Sequence, residues 1–133
     1  MICFVDTSAL FALLDSGDKN HKDAGLTWET LISERATLIS SNYVLLETVT
    51  ILNRRLGIAA VQGFQDNIVP LLRLEWVGPD THSAGILAFL SAGRKDLSLV
   101  DLTSFDIMRK LGIRRAFSFD KHFREQGFEP STA

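Results

Sequence analysis

Four acids in this sequence stand where their neighbours can put them to chemical use. Asp6 closes the apolar run Ile2, Cys3, Phe4, Val5, and the helical pattern Ala9, Leu10, Leu13, Leu14 starts immediately behind it. Asp120 closes Ala116, Phe117, Ser118, Phe119 in the same manner near the other terminus. Asp101 falls in the first turn of a helix opened by Ser98, and Glu47 in the second turn of a helix that follows another short apolar run. In open parallel α/β sheets, functional groups gather at the carboxyl ends of strands and at the adjacent helix starts. If the four turns share one edge, four carboxylates converge there. They would repel one another and raise some pKa values unless divalent cations neutralise them. Hard oxygen ligands without clustered Cys or His favour Mg²⁺ or Mn²⁺ over zinc. Such ions activate water and stabilise the charge that builds at phosphorus during phosphodiester hydrolysis.

Each acid also has a purely structural reading. Asp6 and Asp120 can cap the helices that follow them. Asp101 completes a Ser-x-x-Asp capping box with Ser98. Glu47 lies away from the apolar side set by Leu45, Val49, Leu52 and Leu56, beside Tyr43, Thr50 and Arg54, where a solvated charge is the default. Taken one at a time, the acids leave a metal site and a set of helix caps both open.

The elements that would position these acids alternate along the chain. Expected strands are Ile2 to Val5, Thr37 to Ser40, Leu74 to Val77 and Arg115 to Phe119, with an edge strand at Phe128 to Pro130. Between them, helical patterns cover Ser8 to Leu14, His21 to Glu34, Ser41 to Leu56, Ile58 to Leu72 (ended or distorted by Pro70), Asp80 or Thr81 to Ala92, and Ser98 to Leu111, with a short turn or helix from Lys121. Short strands alternating with helices call for crossover connections and a mainly parallel sheet of four to five strands, covered on both faces. The expectation is a single α/β domain over residues 1–133, frayed from about 130.

Composition agrees. The chain has 133 residues, 46% hydrophobic and 23% charged, which is globular and large enough for a core. Its net charge of -2 gives no global pull toward nucleic acid, so any such surface must be a local patch. One cysteine, Cys3, excludes an internal disulfide and suits a reducing cytoplasm. No apolar run approaches the ~18–20 residues of a membrane span.

In order, Val5-Asp6-Thr7-Ser8-Ala9-Leu10, then Glu47 within Asn42 to Thr48, then Leu97 to Asp101, then Phe117-Ser118-Phe119-Asp120-Lys121-His122-Phe123, resemble a PIN-domain nuclease. More narrowly, they resemble the VapC-like toxin ribonucleases of toxin–antitoxin pairs. Each motif alone is weak; four in order, over essentially the whole chain, are specific. The resemblance implies a three-layer α/β/α sandwich and an acidic site that binds Mg²⁺, or Mn²⁺ in its place, and cleaves RNA. Carried over by position, Asp6 and Asp101 are the leading metal ligands, and Glu47 and Asp120 complete the pocket directly or through water. Ser8 and Ser118 orient carboxylates or water. An antitoxin protein as inhibitor and a homodimer are implied as partners.

Among the remaining charges, Lys121 and Arg124 gain most as phosphate contacts, because they adjoin Asp120. Arg54-Arg55, Arg94-Lys95 and Arg114-Arg115 could also supply phosphate contacts, though such pairs are usually solvated surface. Asp96 reads either as an assistant to the site or, the favoured reading, as a solvated loop charge. Asp106 lies about 140° around the helix from Asp101 and stays outside the site. His21, His82 and His122 share no ligand spacing, and the Phe117, Phe119, Phe123 cluster reads as core. Two rival readings remain. A receiver-like phosphotransfer domain would want paired acids after the first strand and a lysine closing a late one; Asp6 stands alone and Asp120 holds the second place. A non-catalytic RNA- or protein-binding module of the same fold would have no need of the acids.

Overall fold

The computed structural model describes residues 1–131. Its centre is the strand that carries Asp6: β1 (Ile2–Val5), with Cys3, Phe4 and Val5 fully buried. A parallel sheet of order β3-β2-β1-β4-β5 is built outward from it, with β2 at Thr37–Ser41, β3 at Arg73–Glu75, β4 at Arg115–Phe117 and β5 at Glu129–Pro130. Every neighbouring pair is parallel. Parallel neighbours need crossovers, and helices supply them: α1 (Thr7–Leu14), α2 (His21–Ser33), α3 (Asn42–Leu56), α4 (Ile58–Asn67), α5 (Pro79–Ala92), α6 (Leu99–Leu111) and α7 (Lys121–Glu125). The chain winds from β1 out to β2 and β3, then returns past β1 to β4 and β5. Right-handed crossovers therefore place α1 to α4 on one face and α5 to α7 on the other. The aromatic contacts agree. Val5 is in register with Phe117, which stacks on Trp28 of α2, whereas Phe4 points to the opposite face and packs on Phe123 of α7. Phe105 of α6 meets the same Phe123 edge-on, at 5.0 Å between ring centroids. This is the expected three-layer sandwich.

The winding reverses between β1 and β4. A crevice forms at such a reversal outside the carboxyl ends of the strands. Side-chain caps start four helices on this edge. Asp6 accepts from Ser8 N, Ser41 from Val44 N, Ser98 from Asp101 N and Asp120 from His122 N. At the ends of β1, β2 and β4 the same short stretch also starts the next helix, and the two acids Asp6 and Asp120 are fixed in place by their own capping bonds.

Helices α5 and α6 approach so closely that Gly85 has no room for a side chain. An added Cβ would stand 2.7 Å from Thr103 Cγ2 and 3.3 Å from Leu99 Cδ1. Thr103 is fully buried and β-branched, so it cannot swing away. Gly85→Val is expected to cost roughly 1–3 kcal/mol through overpacking. A urea titration checks this, and a midpoint unchanged from the parent would refute it.

Several boundaries differ from the expected ones. β3 is Arg73–Glu75 rather than Leu74 to Val77, because the backbone N–H of Val77 is taken by Asn42 Oδ1 at 2.7 Å. Residues 58–72 divide into α4 and a 3-10 turn, Val69–Leu71, around Pro70. α5 begins at Pro79 behind Gly78, not behind Asp80 or Thr81, since proline is preset for a first helical position. β4 stops at Phe117. Pro130 and Ser131, expected to fray, are tied to β4: Pro130 pairs with Ala116, and Ser131 N donates to the Ala116 carbonyl at 3.0 Å. Thr132 and Ala133, the rest of that expected tail, lie outside the described residues. Among the described residues, no helix is long and apolar enough to cross a membrane.

Candidate active site

Asp6 sits at the mouth of the crevice and is itself 4% exposed. Its Oδ2 accepts from the Ser8 hydroxyl at 2.8 Å, the Ser8 backbone N–H at 3.3 Å and the Ser118 hydroxyl at 3.0 Å. All three bonds converge on one oxygen, so Oδ1 is the atom through which Asp6 would meet a cation. The two serines also join the β1 and β4 ends. Ser8 Oγ accepts from Phe119 N at 2.9 Å, Ser118 Oγ accepts from Asp120 N at 3.0 Å, and the hydroxyls lie 3.2 Å apart. Ser8 and Ser118 therefore hold Asp6 and Asp120 to a common frame. Ser118→Ala removes a donor to Asp6 and an acceptor for Asp120 N. Losing an outer partner of this kind typically lowers activity about 10- to 100-fold. That is the expected fall in RNA cleavage, and an unaltered rate would show that the frame has no catalytic consequence.

Asp101 comes from the other side of the crevice. Its carboxylate accepts from Ser98 N at 3.0 Å while Ser98 Oγ accepts from Asp101 N at 3.0 Å, so the capping box is complete. Only Oδ2 is used in that box, which leaves Asp101 able to cap α6 and to face the cleft at once. Glu47, for which the helical wheel alone favours a solvated charge and the family resemblance a place in the pocket, is half-buried at the cleft beside Thr7. The helical wheel misplaced it because the facing surface at this end of α3 is polar: Thr7 there also contacts Val44 O and Thr48.

Asp6, Glu47, Asp101 and Asp120 line one open cleft of about 400 Å³, together with Ser8, Ser98, Phe119 and Arg55. Burial pushes the Asp6 carboxyl up to about 6, with the Asp101 charge adding to the rise and the Ser8 and Ser118 bonds opposing it. Glu47 is also pushed up, by burial first and then by the charges of Asp101 and Asp120. Asp101 is raised by burial and by Asp120, against the Ser98 bonds. The charges thus work against one another, and among the described residues no Lys or Arg forms an ion pair with any of the four. Oxygen donors with no Lys or Arg paired to them among the described residues fit a divalent cation.

His122 and Asp96, for which the sequence favours a role outside the site, join this edge. His122 is 7% exposed and lies against Asp120, with Nδ1 2.6 Å from Oδ1. One ligand atom each from Asp101, Asp120 and His122 falls within 4.8 Å of the others. The spacing of histidines along the chain held no trace of this, because His122 finds its partners across the fold. Asp96, read as a loop charge, lies 3.0 Å from His122 Nε2 and is gripped by Arg94 at 2.7 Å. Arg94, then His122, hold the Asp96 carboxyl well below the usual range, and the Asp96 bond raises His122.

The cations divide differently from expectation. Arg55, read as part of a solvated pair, lines the acidic cleft with its guanidinium 5.4 Å from the Phe11 ring. Lys121 and Arg124 line a separate hollow of about 210 Å³ that shares Phe119 and Asp120 with the cleft. Phe117 and Phe123 are core, but Phe119 is half-buried and walls both hollows. Asp106 pairs with Lys110 and takes no part.

A doubly wound parallel sheet with acids gathered at its reversal point suits metal-assisted phosphoryl chemistry, and the chain belongs to the PIN domain family of nucleases, whose profile matches residues 3–129. Within that family it is of the VapC-like ribonuclease type. It is 39% identical over 126 residues, 94% of each chain, to the 23S rRNA-specific endonuclease VapC20 of Mycobacterium tuberculosis. The crystal structure of VapC20, described as a Sarcin-Ricin loop cleaving toxin, matches 97% of both chains with a TM-score of 0.83 and 38% identity. FitAcB from Neisseria gonorrhoeae shares the fold at a TM-score of 0.67 and 15% identity. The chain is accordingly a nuclease acting on phosphodiester bonds, and the receiver-like alternative falls away.

Proposed function

We propose that this chain is a Mg²⁺-dependent endoribonuclease, the toxin of a toxin–antitoxin pair, and that its substrate is a structured segment of ribosomal RNA. The observation that carries the reading is the convergence of Asp6, Glu47, Asp101 and Asp120 on one open cleft without a paired Lys or Arg among the described residues. Similarity to VapC20 supports the choice of RNA. Asp6 and Asp101 are the leading metal ligands, with Glu47 and Asp120 acting directly or through water; Mn²⁺ is the expected substitute. A divalent cation bound there neutralises the carboxylates, attracts a phosphate and makes a water easier to deprotonate. The chain's own residues do the rest. Ser8 and Ser118 fix Asp6, and Ser98 fixes Asp101. Arg55 stands beside the cleft where it can meet a flanking phosphate, and Lys121 and Arg124 offer the same charge one hollow away.

Exposed Leu46, Ile58, Trp76, Leu87 and Leu90 supply apolar surface for a homodimer and for an inhibitory antitoxin segment. Ribosomal RNA as substrate places the action in the cytoplasm. The test is incubation of the purified chain with intact 23S rRNA, with Mg²⁺ or with EDTA. Discrete cleavage with Mg²⁺ that EDTA abolishes and added Mg²⁺ restores is expected. Cleavage that persists in EDTA, or RNA left intact under both conditions, would overturn the reading. The same result separates it from a non-catalytic binding module, which would retain RNA without cutting it.

A further inference from the structure

We infer that His122 Nδ1, together with Asp101 and Asp120, completes a cation position that takes Mn²⁺ in preference to Mg²⁺. The inference rests on the metal-dependent reading above and adds a nitrogen ligand to it. Its starting point is the other ring nitrogen. Nε2 lies 3.0 Å from Asp96 Oδ2, which the Arg94 guanidinium holds through two contacts, at 2.7 and 3.0 Å. A carboxylate so held can only accept, so Nε2 carries the proton. In the neutral ring, Nδ1 then presents a lone pair.

That lone pair faces another. Nδ1 is 2.6 Å from Asp120 Oδ1, yet it makes no hydrogen bond: the atoms are close, but the N–H···O alignment is missing. With the ring neutral, a buried nitrogen lone pair held against a carboxylate oxygen in this way favours a cation beside both atoms, and a proton on Nδ1 is the competitor that such a cation displaces. Among the described residues, no Lys or Arg pairs with Asp120. Asp101 is the third group, with one ligand atom of each residue within 4.8 Å of the others. Ligands about 2.1 Å from an octahedral ion lie about 3 Å apart when adjacent and about 4.2 Å apart when opposite. The 2.6 Å between Nδ1 and Asp120 Oδ1 is close to the adjacent spacing, and the three atoms together lie within 4.8 Å, close to the opposite one. The carboxylate behind the imidazole is also the arrangement that orients metal-ligating histidines and raises their basicity.

Metal preference follows from the donors. Carboxylates and water satisfy Mg²⁺, whereas imidazole binds it poorly and binds first-row transition ions well. A mixed N and O set with two carboxylates suits Mn²⁺, which accepts both. Asp6, whose Oδ2 is occupied by Ser8 and Ser118, stands outside this group of three.

The test is three-pulse electron spin-echo spectroscopy of the full chain loaded with Mn²⁺, which detects nitrogen bonded directly to the ion. A ¹⁴N modulation is expected. It should be replaced by the ¹⁵N pattern when the protein is grown on ¹⁵N-histidine, and it should vanish in His122→Gln. Mn²⁺ affinity is expected to fall about 10- to 100-fold in that variant, while Mg²⁺ affinity changes less than about threefold. Bound Mn²⁺ without nitrogen coupling in the parent chain would overturn the inference, and so would coupling that survives His122→Gln. The isotope comparison needs no variant, so misfolding of His122→Gln cannot rescue a negative result. Mg²⁺-dependent RNA cleavage alongside an absent nitrogen signal would refute this inference alone. Absence of metal-dependent cleavage would instead refute the function.

Discussion

Asp101→Asn is expected to lower RNA cleavage about 1,000-fold while leaving the fold in place. The substitution keeps the shape and removes the charge. In the proposed mechanism that charge would hold the divalent cation, and the stabilisation lost from the transition state would be several kcal/mol, about tenfold for each 1.4 kcal/mol. In the helix, much less is lost. Ser98 still caps α6 by accepting from the residue 101 N–H, and an asparagine carbonyl can accept from Ser98 N as the carboxylate does. A weakened cap of this kind costs about 1 kcal/mol or less. Removing the charge also relieves Asp6 and Glu47, both of which Asp101 pushes upward. The thermal midpoint should therefore move by only a few degrees. The two roles of Asp101, capping and catalysis, separate in this variant because one depends on an acceptor atom and the other on a charge. Single-turnover cleavage of a 23S rRNA fragment measures the first effect and circular dichroism the second. A variant retaining more than about a tenth of the parent rate would remove Asp101 from the site.

The sequence showed Asp6 and Asp120 directly, because each acid ends an apolar run and opens a helix, and that junction can face only the strand-end edge of a parallel sheet. The same logic exposed Ser98 and Asp101 as a cap, and the cap locates α6 correctly. Glu47 was harder. A helical wheel assumes one apolar side against the core, but the face of α3 nearest the cleft meets the Thr7 hydroxyl, which contacts Val44 O and Thr48 of α3, so Glu47 is half-buried at the cleft and not on the open surface. His122 and Asp96 were not legible as a pair. They are 26 residues apart and meet only when the loop before α6 folds beside α7. Nor could spacing reveal Arg55, since its place in the cleft depends on the position of the Phe11 ring. Local chemistry at strand ends is written in adjacent residues; contacts across the crevice are set by how α1, α3, α6 and α7 pack. The boundaries of β3 and α5 were misplaced for similar reasons. A side chain 35 residues away, Asn42, takes the Val77 N–H and ends one ladder early, while Pro79 starts a helix ahead of the better side-chain caps.

In metal-free solution, Asp6→Asn is expected to make the protein more stable at pH 7 and to abolish cleavage. The Asp6 carboxyl is raised from 3.8 to about 6 in the folded chain, chiefly by burial. Between those values the folded state binds more protons than the unfolded state. Stability therefore falls as pH rises from about 4 to about 6, and above that the whole loss persists. It amounts to roughly 2–3 kcal/mol, an upper bound because neighbouring carboxylates titrate in the same range. Glu47 and Asp101 are raised too and bend the profile in the same direction. An asparagine at position 6 carries no charge to desolvate, and its carbonyl can still accept from Ser8 and Ser118. In EDTA, the parent's melting temperature should decline between pH 4 and pH 6.5, and the variant's decline should be distinctly smaller. At pH 7 the variant should melt several degrees higher. Mg²⁺ should reverse the order, since a cation held by ionised Asp6 and Asp101 stabilises only the parent by binding its folded state. An EDTA profile for the parent that rises from pH 4 to pH 6.5 would show that these acids are ionised at no cost to folding. The crevice would then contain a counter-charge other than a metal. If the expected crossover is found, the acids at the sheet edge oppose folding on their own and favour it only with the ion that catalysis requires.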